Sequence, residues 1–205
     1  MVVVPPPPAP GWPPVSTTSS LAPVITATAQ WLTRAYPASG GALQRALAEA
    51  QAHQAATVAA WLRYPTRMDA ELAALTGARG SDALDWAAGA DDGLPLPGPS
   101  DGAHDADPPA PAEDAEAWRT WVDEAVASWA ACLLARPDLA SAAVDAVAGT
   151  EHAGAVPVGF RRLTSPTEGD TAAAALLRHP DLLEPVARLH RDGLLERLGR
   201  RPAEA

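Results

Sequence analysis

The chain has 205 residues and a formal net charge of −10, a size that suits one domain or two small ones. Its 22 prolines and 15 glycines make 37 of 205, below the level at which a whole chain reads as disordered. Hydrophobic residues reach 47 %, but 48 residues are alanine, so the large core formers are leucine, valine and seven tryptophans against one phenylalanine, which excludes a large sheet sandwich and leaves a modest helical core.

Residues 1–20, MVVVPPPPAPGWPPVSTTSS, read as an extended arm. Pro5 to Pro8, Pro10, Pro13 and Pro14 fix φ and remove amide donors, so polyproline II is the natural conformation. Trp12 has nothing local to bury its indole and is the anchor expected of a docking arm. Residues 21–88 read as an N-terminal helical segment. Ser19 or Ser20 caps a helix from Leu21 to Tyr36, with Pro23 in its first turn, and Pro37 to Gly41 break it. The longest helix follows, Ala42 to Tyr64, with Leu43, Leu47, Ala50, Gln54, Val58 and Trp61 recurring at steps of three or four. Thr66 caps a short helix in which Met68, Leu72 and Leu75 share a face and Gly77 is the C-cap. Ser81 starts a further turn or two that Gly89 ends.

Residues 89–112 have no periodicity and are dense in Pro, Gly and Asp, the composition of a linker. The charge excess lies here: residues 81–124 carry twelve acids against Arg119 alone. An acidic surface for a basic partner, or a nucleic-acid mimic, is a third reading beside a solvated linker, although the prolines and glycines argue against ordered acids. A C-terminal helical segment spans residues 113–199. Glu113, Asp114 and Glu116 stand in the first turn of a helix reaching Arg136, with Trp118, Val122, Ala125, Trp129 and Cys132 or Leu133 as its stripe. A shorter helix covers Asp138 to Ala148. Residues 150–169 are irregular, with Val156 to Leu163 the one candidate strand. Asp170 caps a helix to Arg178, a last helix runs from Asp181 to Leu198 with a kink at Gly193, and residues 200–205 are a tail.

One junction recurs. Trp61-Leu62-Arg63-Tyr64-Pro65, Leu133-Leu134-Ala135-Arg136-Pro137 and Leu176-Leu177-Arg178-His179-Pro180 each put two large apolar residues, a pair of other residues and a proline at a helix end. Trp31-Leu32 before Tyr36-Pro37 is a looser copy. The prolines have no fixed spacing, so this is hairpin chemistry in an all-α fold rather than a solenoid. The fold expected is thus all-α: helical hairpins in two segments, an acidic linker between them and the Pro-rich arm in front.

All fifteen basic residues are arginine, and lysine and asparagine are absent, a bias that fits a GC-rich bacterial genome more than phosphate recognition. Cys132 is alone, the start has no signal-peptide pattern, and no stretch is apolar enough to span a membrane, so a cytoplasmic protein is expected. The five histidines form no helical metal-ligand spacing, and no metal or cofactor is expected. Glu151 and His152 are the one loop pair that places an acid beside a base. Arg161 and Arg162 are a weak anion-binding pair that more naturally forms salt bridges. Cys132 reads as a small buried apolar residue, and His190 as a packing residue on the last helix.

These residues point first to a non-catalytic accessory, scaffold or adaptor subunit. It would bind other protein subunits, or itself, through the arm with Trp12 and through the helices bearing Trp118, Trp121 and Trp129. Nucleic acid is not an expected partner. The alternative is a small helical enzyme or hydrophobic-ligand protein with a pocket near Trp118, Trp129 and the His152 loop. Replacing Trp12 with alanine, or removing residues 1–18, is expected to leave the helical circular dichroism unchanged. The same change should weaken association with a partner, or with itself, at least tenfold, because an indole contributes roughly 2–3 kcal/mol when buried. Unchanged association would leave the arm a mere tail.

Overall fold

The computed structural model describes residues 20–77, 80–89, 116–153 and 159–200, and among them every regular element is helical. Among these described residues ten α-helices follow in chain order: α1 (Ala22–Ala35), α2 (Ala42–Arg63), α3 (Arg67–Thr76), α4 (Asp82–Ala87), α5 (Glu124–Ala135), α6 (Pro137–Val147), α7 (Arg161–Thr164), α8 (Glu168–Ala173), α9 (Pro180–Arg188) and α10 (Arg191–Arg197). A 3₁₀ turn, Ala117–Trp121, precedes α5. The arm with Trp12, the linker after Gly89 with His104, and the tail from Arg201 onward lie outside the described residues. Among the described residues no helix is long and apolar enough to cross a membrane.

Helix α2 is the centre. It packs against α1, α5, α6, α7 and α8, so the two halves of the chain share one core. Of the stripe the periodicity suggests, Val58 and Trp61 are buried, Leu47, Ala50 and Gln54 are partly buried, and Leu43 is 73 % exposed. The core side is Ala48, Gln51, Ala52, Ala55, Ala56 and Ala59, joined by Val58, Trp61 and Leu62 towards the end. The reason is steric. A methyl group lets a neighbouring helix axis come close, so a helix faced with alanine can be enclosed on several sides. The alanine that composition sets apart from the large core formers is here the packing surface.

The pre-proline positions behave as the junction requires. Tyr36, Tyr64, Arg136 and His179 all leave the α region, with ψ of 70, 73, 92 and 116°. Pro137 and Pro180 then open α6 and α9, whereas Pro65 is followed by Thr66 as the cap of α3. Several boundaries differ from the sequence reading, each for a local reason. The N-cap residue of the first helix is Leu21 rather than Ser20, and Ser19 lies outside the described residues. The helix expected over Glu113 to Arg136 is interrupted at Val122, which is extended; Glu113 and Asp114 lie outside the described residues. Asp123 is extended, its Oδ1 accepts the Val126 amide at 3.0 Å, and α5 begins after it. Trp118 and Trp129 therefore do not share one helix. Arg161–Thr164 is a helical turn, not part of a strand. Thr167, not Asp170, caps α8; Asp170 is its capping-box partner, accepting the Thr167 amide at 3.0 Å.

The last helix is two. The His190 amide donates to Ser128 Oγ at 3.0 Å and the His190 carbonyl accepts the Trp129 indole N–H at 2.9 Å, so tertiary bonds capture the backbone and break the helix at that point. Gly193 is not the kink: it sits inside α10, facing the edge of Trp129.

A polar knot ties the second half to α2. Arg178, in the third junction, donates to Gln51 Oε1 at 2.6 Å, to the Leu134 carbonyl at the end of α5 at 3.1 Å and to the Arg162 carbonyl at 2.9 Å. Gln51 is fully buried and returns a bond to the Asp170 carbonyl at 2.9 Å. Asp170, also buried, pairs with Arg162. Arg178 and Gln51 satisfy acceptors that would otherwise be left dry, and Arg162 satisfies the Asp170 carboxylate. Arg178→Met should therefore cost about 2–4 kcal/mol in urea denaturation, since it leaves several acceptors without donors. Arg45→Met, at an exposed site, should stay within about 0.5 kcal/mol. A loss that small at Arg178 would show that the knot is not structural.

Candidate functional site

Helix α3 is held by its ends rather than by its large side chains. Thr66 Oγ1 accepts the Asp69 amide at 3.1 Å and Asp69 Oδ2 accepts the Thr66 amide at 3.1 Å, a closed capping box. Glu151 Oε2 accepts the Arg67 amide at 3.0 Å. His152 Nε2 lies 2.7 Å from the Tyr64 carbonyl; a carbonyl only accepts, so Nε2 carries the proton. The same imidazole stacks on Trp61, with ring centroids 5.9 Å apart. Gly77, at φ +73°, ends the helix where a side chain would be strained. Only Ala70 and Ala73 of α3 are buried. Its row of Met68, Leu72 and Leu75 therefore faces outward, at 71, 54 and 83 % exposure.

Beside this row a cleft of about 570 Å³ opens between α3 and the start of α5, lined by Tyr64, Asp69, Leu72, Asp123, Glu124 and His190 among others. Tyr64 Oη donates to Asp123 Oδ2 at 2.5 Å, and His190 Nε2 meets Glu124 Oε1 at 2.6 Å. The lining carries three carboxylates against one guanidinium, that of Arg63. A second groove, of about 390 Å³, lies between α4 and α9, lined by Trp86, Ala87, Pro185, Arg188 and Leu189. Trp86 is 75 % exposed there. It points outward because its neighbours on α4 are committed: Leu84 is buried, and Asp85 accepts bonds from the Trp31 indole, Ser81 and Arg119. At the α9–α10 break, Leu189 lines this groove and His190 lines the cleft.

The residues singled out in the sequence take varied places. Glu151 and His152 lie together, as part of the α3 anchorage just described. Arg162 pairs with Asp170, while Arg161 is exposed on the same small α7 turn. Trp129 is buried in the core, and a shallow pocket with Gly193 and Arg197 reaches it. Trp118 is half-buried, with the Arg34 and Arg119 guanidiniums 4.6 and 5.4 Å from the ring centroid, and Trp121 packs half-buried on the core. Cys132 is buried and its thiol lies 3.4 Å from the Ala187 carbonyl; burial pushes its pKa up, which makes it a poor nucleophile. His190 is not a packing residue on a continuous helix but the partner of Glu124.

Sequence reasoning missed Trp86 and the outward turn of α3. The spacing of Met68, Leu72 and Leu75 identifies a face without saying which way it points. The Thr66–Asp69 capping box was the available clue, because a helix anchored by its caps can leave its apolar face free.

Tyr64 offers a direct check on the cleft. Burial pushes its hydroxyl pKa up, and the Asp123 carboxylate pushes it further; burial alone raises Tyr36. These are the two tyrosines of the chain. A pKa raised by folding contributes stability that is whole below about 10, the unfolded value, and is lost as pH rises through the folded value. Absorbance at 295 nm should thus stay flat through about pH 10 and rise only as the protein unfolds in alkali. A normal tyrosine titration in the folded protein would show that the Tyr64–Asp123 contact does not form.

Comparison of the chain with protein families, with characterised proteins and with solved structures gives no match, so its functional reading rests on its own residues.

Proposed function

We propose that the protein is a non-catalytic accessory or adaptor subunit whose contact surface is the outward face of α3, with Trp86 and the Pro-rich arm as further contacts. The observation that carries this reading is the exposed row of Met68, Leu72 and Leu75. Single apolar residues on a surface need no explanation, but three in register on one helix, beside a cleft, are the pattern of an interaction site. Trp86 adds an exposed indole, the side chain most enriched among binding hot spots. The row and the cleft share Leu72, so the contact area extends beyond one helix face.

The rival reading as a small enzyme has less support. His152 and Glu151, the acid–base pair it relies on, are engaged in holding α3. Trp118, which it places at the pocket, is covered by two guanidiniums.

The native mass tests the proposal. In extracts of its own host the protein should elute in an assembly well above its 21.1 kDa. Leu72→Ser/Leu75→Ser removes apolar area without changing charge and should shift most of it to the mass of a single chain, with circular dichroism unchanged. A wild-type protein that elutes as a single chain would contradict the adaptor reading.

A further inference from the structure

The chemistry around α3 narrows what it binds. We infer that the α3 face and its cleft take an amphipathic helix of a partner protein that carries Lys or Arg beside its apolar row; this rests on the adaptor reading above. Met68, Leu72 and Leu75 stand at i, i+4 and i+7. They form a straight ridge about 10 Å long at 1.5 Å per residue. A ridge of that kind matches the groove between the side-chain rows of a second helix. Leu72 belongs both to the ridge and to the cleft lining. A helix laid on the ridge therefore places its flanking side chains over the cleft.

Those flanking positions meet acid. Asp69, Asp123 and Glu124 line the cleft, with Arg63 the one arginine among its lining residues. The carboxylates are held in place and keep acceptor capacity. Asp123 is fixed by Tyr64 and by the Val126 amide. Glu124 is fixed through Oε1 by His190, and among the described residues its Oε2 takes no bond. A fixed carboxylate with a spare oxygen favours a cation over an anion or a neutral group, because it need not be reorganised on binding. The charge also speaks against a second copy as the occupant. Two copies meeting face to face would bring two acidic clefts together in a chain that already carries −10.

The probe is a fluorescent fourteen-residue Leu/Lys amphipathic helix, with the Leu/Glu peptide of the same pattern as its counterpart. Fluorescence anisotropy of the full chain should give saturable binding of the Leu/Lys peptide that weakens as salt rises from 50 to 500 mM, both probe concentrations chosen to span the screening range. Leu72→Ser/Leu75→Ser should weaken it at least tenfold, and Glu124→Gln by a smaller factor that shrinks in high salt. The Leu/Glu peptide should not bind. Equal affinity of the Ser variant would reduce the contact to diffuse charge attraction and overturn the inference. Comparable binding of the Leu/Glu peptide would overturn the charge rule, and concentration-dependent dimerisation lost in the Ser variant would put a second copy on the ridge instead. Any of these outcomes leaves the adaptor reading standing if the native assembly still dissolves in the Ser variant; a single-chain wild type would remove that reading whatever the peptides do.

Discussion

Helix α2 can be enclosed only because its core side is alanine. Ala48, Ala52, Ala55, Ala56 and Ala59 bring little apolar area each, but they allow α1, α5, α6, α7 and α8 to approach one axis. Everything else in the molecule is arranged around that close packing. The larger apolar residues that complete the core come from the surrounding helices, such as Trp31, Leu133, Leu134 and Leu183, and from Leu177 in the turn between α8 and α9. A core built this way is thin in area per residue, so polar fastening carries more of the load than in a leucine-rich bundle. The Gln51–Arg178–Asp170 knot and the two capping boxes are that fastening.

The same economy explains α3. A helix that offers the core only Ala70 and Ala73 gains little from burial. It is kept in place by the Thr66–Asp69 box, by Glu151 on the Arg67 amide and by His152 on the Tyr64 carbonyl. Because these bonds act at its first turn, they fix the rotation of the helix without using Met68, Leu72 or Leu75. Structure and proposed function are joined there: residues that look like an acid–base pair in the sequence serve to present an apolar ridge. The cleft beside it takes its acidic character from Asp123 and Glu124, which are where they are because Asp123 caps α5.

The helical class, the long central helix, the caps at Thr66 and Gly77 and the junction prolines were legible, because each depends on residues within a few positions. The facing of helices was not. The stripe read in α2 holds at its end, where Val58 and Trp61 are buried, but at its start the alanines take the core side, since close approach of five helices outweighs the extra area of Leu43. Likewise the two helices α9 and α10 read as one, because the bonds that break them come from Ser128 and Trp129, about sixty residues away in the chain. The tryptophans illustrate the same limit. Trp129 and Trp86 have similar apolar neighbours in sequence, but only Trp86 lies on a helix whose other faces are committed to the core and to the Asp85 cluster.

Position-specific photo-crosslinking bears most directly on whether α3 meets a partner. With benzoylphenylalanine placed at position 75 in the native host, irradiation should give a discrete higher-mass adduct. Placed at position 43, where Leu43 is as exposed but stands alone, it should give none. No adduct at 75, or the same adducts at both positions, would contradict a binding role for the α3 ridge.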